Sequence, residues 1–216
     1  MPVTFDNFGT SFSSGVDCNV NFLFTAAADT VLLVYTVGDG TRSVSAIAYN
    51  GVALTQLFQD ASHQLWALTA PTAGINTLSV DWVTTGGALQ FRAVAVTYLN
   101  VKAVGGFGTL QGTKTAAAVV GNLSLSSSTT DIVAYFVRAS AGGNLDALPG
   151  TTRLSGSASA NARFVFADVA GAATISLSAS AAAATTIRII GQPLIFSVAA
   201  AGATRLNLRA LLGVGY

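Results

Sequence analysis

Enzymatic chemistry needs titratable or nucleophilic side chains converging on one point, and this chain of 216 residues holds few of them. His63 is the single histidine and Cys18 the single cysteine; all nine acidic residues are Asp, and no Glu occurs. One histidine excludes a two-histidine metal centre, and no Asp-x-Asp spacing marks a calcium loop. A Ser-His-Asp relay through His63 is formally available, but no serine lies in anything resembling a nucleophile elbow. A glycosidase pair of carboxylates would have to be drawn from Asp alone. Asp29, Asp39 and Asp131 border strands as turn residues, while Asp17 and Asp81 fall on the outward faces of strands. Gly105-Gly106-Phe107-Gly108 lacks the lysine and following helix of a phosphate loop. His63, between Asp60 and Trp66, reads as a surface turn residue, and Cys18 as a small buried hydrophobe. This inventory predicts a protein that is not an enzyme and that carries no cofactor and no metal.

Two sets of residues are left for binding. Trp82 and Trp66, with Tyr98 behind them, are the candidates for an aromatic platform that stacks on a glycan. Trp66 lies inside the apolar strand Leu65–Leu68 and reads as packed between sheets; Trp82, after Asp81 near a strand end, is the one expected at the surface. The second set is the C-terminal segment. After Phe196 comes a stretch of small residues, then Thr204-Arg205-Leu206-Asn207-Leu208-Arg209-Ala210-Leu211-Leu212-Gly213-Val214-Gly215-Tyr216. Arg205, Asn207 and Arg209 alternate with Leu206 and Leu208, the period of a strand laid on a surface. This tail either folds back as one more strand of its own domain or acts as an arm. An arm would engage a partner's sheet edge through Leu206, Leu208, Leu211, Leu212 and Tyr216, with Arg205 and Arg209 on acidic groups.

The elements that position these residues are strands. Charged residues are 9% of the chain, against roughly 25% in an average soluble protein. Ser, Thr, Asn and Gly take their place, and all disfavour helix interiors. Strand signals recur at short spacing. Val16, Cys18, Val20, Phe22 and Phe24 alternate onto one face, and Thr30–Val37 is a nearly continuous apolar run expected to be a central strand. Further strands are expected over Ser43–Tyr49, Val52–Phe58, Gln64–Thr69, Thr77–Val83, Leu89–Leu99, Ala118–Leu125, Asp131–Ala139, Thr151–Leu154, Ala162–Val169, Thr174–Ser178 and Thr185–Phe196. Asn50-Gly51 is the strongest hairpin turn among them.

Three blocks recur in the same order in both halves. Asp29–Tyr35 resembles Thr130–Phe136, Leu65–Leu68 resembles Phe164–Ala167, and Phe91–Val94 resembles Ile187–Ile190. The duplication fits two tandem domains or two halves of one double-sheet jelly roll. The connection Asn100–Thr115 has no Pro-rich or charged linker, and each half alone is small. The expected fold is therefore all-β: a two-sheet antiparallel β-sandwich of jelly-roll type with an internal pseudo-duplication. Residues 1–198 would form a single domain and 199–216 a C-terminal extension or arm.

Ser43–Thr55, with a strand ending in Tyr49, a Gly51 turn and then Leu54-Thr55, resembles a known sandwich type. Its later features match too: Leu65-Trp66-Ala67-Leu68, the turn Pro71-Thr72-Ala73-Gly74, and Thr77-Leu78-Ser79-Val80. Such modules occur in tailed-phage virion proteins and in large bacterial surface or secreted proteins. The resemblance spans residues 3–198 and implies a fold and a setting, not a catalytic site. No basic residue precedes Arg42 and no apolar stretch follows Met1, so no signal peptide is expected. That favours the phage setting, with synthesis in the host cytoplasm and a final place on the capsid exterior. The function implied is a head decoration or cement protein whose partners are the major capsid protein and itself, as a homo-oligomer such as a trimer. The alternative is a carbohydrate-binding module on a head spike or fibre that recognises a host surface glycan. A net charge of +1 without a basic cluster argues against nucleic acid, and the Ala/Ser/Thr-rich stretch Val169–Ile187 is too polar for a membrane span.

Overall fold

The computed structural model describes residues 2–15, 19–38, 43–60, 62–83, 89–102, 105–140, 145–159 and 162–197. Fifteen strands follow in chain order: β1 (Thr4–Gly15), β2 (Val20–Ala26), β3 (Thr30–Gly38), β4 (Val44–Tyr49), β5 (Val52–Ala53), β6 (Thr55–Asp60), β7 (His63–Thr69) and β8 (Gly74–Trp82). They continue as β9 (Leu89–Leu99), β10 (Gln111–Leu125), β11 (Ile132–Ser140), β12 (Leu145–Leu148), β13 (Thr151–Ser159), β14 (Ala162–Ala170) and β15 (Ile175–Leu194). One sheet has the order β1-β9-β3-β7-β6, a second β2-β8-β4-β5, and a third β10-β15-β11-β14-β13 with β12 also on β15. The protein is thus the all-β antiparallel sandwich that the composition predicts, with three hydrogen-bonded sheets where the sequence reading gives two.

Period-2 patterning sets the layers. β3 is buried at every position because it is covered on both faces. Its Val31, Leu33, Tyr35 and Val37 point into a central core, and its Leu32 and Val34 into a second core against the β2-β8-β4-β5 sheet. β11 repeats this, with Ala134 and Phe136 in the central core and Val133, Tyr135 and Val137 in a third. The Asn50-Gly51 turn has positive φ at both residues, 51° and 76°, and pairs Tyr49 with Val52.

The third core exists because the β10–β15 ribbon folds over on itself. Fully extended, the fourteen steps of chain from Leu177 to Gly191 would span roughly 46 Å. Yet a methyl group placed on Gly191 would lie 3.0 Å from Leu177 and 2.5 Å from Leu125. The fold lies where the β10–β15 register slips, between Thr115 and Val120, with Ala117 at φ 48°. Such bulges bend and twist a strand pair. The opposing stretch of β15 is Ala181-Ala182-Ala183-Ala184, small enough for the tight turn-over. Gly121 sits inside the fold, because a methyl there would meet Ile187 at 2.8 Å.

The faint sequence duplication is therefore carried by topology. β10 plays the parts of β1 and β2, β15 those of β8 and β9, and β11, β12, β13 and β14 those of β3, β4, β6 and β7. Each repeat closes its own sandwich, and the two sandwiches share the central core.

Several elements differ from the sequence expectation: β12 has no counterpart in it, the strand expected over Val52–Phe58 is divided into β5 and β6, and β10 begins at Gln111 and not at Ala118. β1 has no counterpart in it: Thr-Phe-Asp-Asn-Phe-Gly-Thr-Ser-Phe-Ser-Ser-Gly has little β-branched content, and its pairing with β9 makes it a strand. The strands expected over Thr174–Ser178 and Thr185–Phe196 are one continuous, folded-over strand.

Candidate functional site

The buried ionisable groups sit at the two ends of the central interface. At one end β7 begins with His63, which the sequence places in a surface turn but which is 0% exposed. The turn ends one residue earlier, at Ser62, whose hydroxyl donates to the carbonyl of Gly38 at 2.7 Å. The His63 ring meets Tyr35 edge-on at 5.1 Å and Phe58 at 5.9 Å. Neither ring nitrogen has a hydrogen-bond partner among the described residues. Burial, with Arg138 and Arg188 nearby, holds its pKa well below the ordinary histidine value, so the ring is neutral. Arg138 donates to the Gly38 carbonyl across the interface at 3.0 Å, and Arg188 pairs with Asp60. Tyr35 stacks on Phe136 at 4.6 Å, and Phe136 on Phe166 at 4.8 Å. A buried neutral imidazole with no proton partner in reach is not arranged as a general base; here it acts as an aromatic filler.

At the other end Asp168, 3% exposed, sits on β14 facing the first repeat. It accepts from Arg153 Nε at 2.8 Å and from a terminal guanidinium nitrogen at 3.1 Å, the two-pronged geometry that arginine favours. It also accepts from the Tyr98 hydroxyl at 3.2 Å. Burial, with Asp168 alongside, pushes the Tyr98 hydroxyl well above its ordinary pKa and the Tyr135 hydroxyl up to about 12. The Arg153 guanidinium lies 4.5 Å over the Phe5 ring. The carboxylate thus joins strands of both repeats and is occupied on both oxygens.

Asp131 organises the exit of the chain. One carboxylate oxygen accepts from the Ser127 hydroxyl at 2.7 Å and the Ser128 amide at 3.0 Å, and the other from the Phe196 amide at 2.9 Å. Burial alone would raise this carboxyl, but the three hydrogen bonds outweigh it and hold the pKa below the ordinary value. Phe196 also bridges Val101, and the Ser197 amide donates to the Asn100 carbonyl at 2.7 Å. Asn100 in turn donates to the Pro2 carbonyl at 3.1 Å. A cavity of about 200 Å³ opens beside Asp131, Ser127 and Ile195.

Trp82, expected at the surface, is 4% exposed. The strand alternation runs through to its end, so Trp82 follows Leu78 and Val80 inward and packs on Phe91 with ring centroids 4.1 Å apart. Trp66 is 7% exposed in the same core. The two indoles do not form a platform. Tail residues Arg205, Leu206, Leu208, Arg209, Leu211, Leu212 and Tyr216 lie outside the described residues, as do Asp17, Cys18 and Asp39. Among the described residues, no group of three or more His, Cys, Asp or Glu side chains is placed to hold a metal ion, and no helix is long and apolar enough to cross a membrane.

The outer sheet faces carry small and hydroxylated side chains. Asn21, Thr25, Thr77 and Ser79 line one, and Asn122, Ser124, Ser176 and Ser178 the other. The first also carries the two most exposed large hydrophobics among the described residues, Leu23 at 71% and Ile75 at 69%. The ion pairs of buried Asp168 with half-buried Arg153, and of Asp60 with Arg188, are absent from the sequence expectations. The available signal was an acid at an inward position inside the apolar run Phe164-Val165-Phe166-Ala167-Asp168-Val169. No family model, curated protein or solved structure matches this chain.

Proposed function

We propose that this protein is a structural, non-enzymatic component of a tailed-phage virion, a head decoration or cement protein on the capsid exterior. The double sandwich is the rigid body, each repeat read as a jelly roll, and residues 199–216 are the arm. The arm binds the major capsid protein or a further copy of this chain within a symmetric oligomer. The observation that carries this reading is the anchored exit. Phe196 and Ser197 are tied to Asp131 and Asn100 beside the start of the chain, giving the alternating Arg/Leu segment a fixed base. Support also comes from the residue types of the outer faces. Hydroxyls, small side chains and the neighbouring Leu23 and Ile75 make a surface that loses little when water is removed, because few charges need desolvation.

The carbohydrate-binding alternative loses the residues on which it rested, since Trp82 and Trp66 are core. Deletion of residues 199–216 is the test of the arm. The truncated protein should keep the thermal transition of the full chain while losing co-sedimentation with phage heads, oligomerisation, or both. A truncated protein that still oligomerises and still binds particles would remove the arm from the mechanism.

A further inference from the structure

We infer that the central interface is a two-fold homodimer interface retained within one polypeptide, so that residues 1–102 and 105–197 are two protomers joined covalently. The inference does not depend on the virion setting. A two-fold interface is isologous: a residue on the axis meets its own equivalent, and off-axis contacts come in reciprocal pairs. Both signatures are present. The blocks Asp29–Tyr35 and Thr130–Phe136 place Tyr35 and Phe136 at equivalent positions, and these two rings stack on one another. The block that equates Phe91 with Ile187 makes Asn100 the equivalent of Phe196, and the two repeat ends pair antiparallel there. Val101 bridges Phe196, and Ser197 donates to Asn100.

These two self-contacts define an axis running along the strands between β3 and β11. Such an axis sets the β1 edge of the first repeat over β13 of the second, and by reciprocity β6 over β10. Arg153 of β13 does lie on Phe5 of β1, and Gly112 of β10 lies against Phe58 of β6. Two further polar contacts cross the same interface without being images of one another, Tyr98 of β9 bonded to Asp168 of β14 and Asp60 of β6 paired with Arg188 of β15.

The departures from symmetry are those that fusion permits. Arg138 stands where the first repeat has Val37, and by strand register His63 stands where the second has Phe164, so each polar group occurs once. A true homodimer would bury each of them twice. The fused pair also repeats its outer face on opposite sides of the stack: the cross-strand pair Asn21–Ser79 on β2 and β8 lies on one, and the cross-strand pair Ser124–Ser176 on β10 and β15 on the other.

The test is a protease recognition sequence placed between Lys102 and Gly105, both exposed, in the full chain. After cleavage the two fragments should co-elute at the size of the intact protein. After full denaturation in guanidinium and removal of the denaturant, the same 1:1 complex should re-form, with an unfolding midpoint that rises with protein concentration. Fragments that refold as two separate monomers would overturn the interface. Fragments that fail to refold where the intact chain refolds would overturn the two-protomer division. In the uncut protein, the exchange Tyr35→Phe with Phe136→Tyr should leave the denaturant midpoint at the wild-type value. A loss as large as that of Phe136→Tyr alone would also count against the axis.

Discussion

Between about pH 7.5 and about pH 5, acidification should destabilise this protein through the buried His63. The ring is 0% exposed, lacks a hydrogen-bond partner among the described residues, and shares its surroundings with Arg138 and Arg188. Its folded-state pKa therefore lies well below 6.5, while the unfolded chain titrates near that value. Below pH 6.5 the unfolded state binds a proton that the folded state does not, so stability falls as the pH falls. Each pH unit costs about 1.4 kcal/mol until the folded value is reached. Integrated from about pH 7.5 to about pH 5, the loss is about 2 kcal/mol from this group alone. The assay is urea denaturation followed by tryptophan fluorescence across that range, comparing the wild type with His63→Leu. Leucine keeps the contacts to Tyr35 and Phe58 apolar, and removing two unpaired ring nitrogens should leave stability at neutral pH unchanged or improved. The variant should show a curve flatter by about 2 kcal/mol over the same interval. Parallel curves for the two proteins, or a wild type that gains stability on acidification, would refute the account of His63 as buried and neutral.

Two further outcomes follow from the same burial pattern. Trp82→Ala removes a core ring stacked on Phe91 and should cost about 3–5 kcal/mol in a thermal or chemical melt; a stability change near zero would return Trp82 to the surface. Asp131→Ala leaves the amides of Phe196 and Ser128 and the Ser127 hydroxyl without their acceptor, at about 1–3 kcal/mol, and should speed proteolysis after Phe196. Because the Asp131 carboxyl is held below its ordinary value of 3.8, its contribution is present above that pH and lost as the pH falls through the lowered value. The variant and wild type should therefore converge in acid.

Period-2 alternation carried most of the fold. Thr30–Val37 read as a strand covered on both faces and is one, because a continuous apolar run leaves no side for water. β1 was illegible for the converse reason: its residues alternate weakly, and long-range pairing with β9 determines it. The ends of strands were hardest to place. His63 and Trp82 each stand at a strand terminus, where local sequence cannot tell whether the pleat continues inward or the chain turns away. Both continue inward. The Asp168–Arg153 pair joins residues fifteen apart whose shared environment is supplied by β1 and β9, and no local pattern encodes that.

The same topology is reached twice by different local means, and this explains why the duplication is faint. The first repeat uses separate strands, β1 then β2 and β8 then β9, where the second uses the single long strands β10 and β15. A sharp break needs turn residues; a folded-over ribbon needs a bulge on one strand and small side chains on the other. Sequence similarity between the repeats should therefore be lost at those corners first. It should survive where both repeats face the same constraint, on the strands that line the shared core. The three recurring blocks lie there: on β3 and β11, on β7 and β14, and on β9 and the second half of β15. Alternate residues of such a strand must satisfy its own sandwich on one face and the opposite repeat on the other, a double constraint that the strands with a solvent-facing side do not meet.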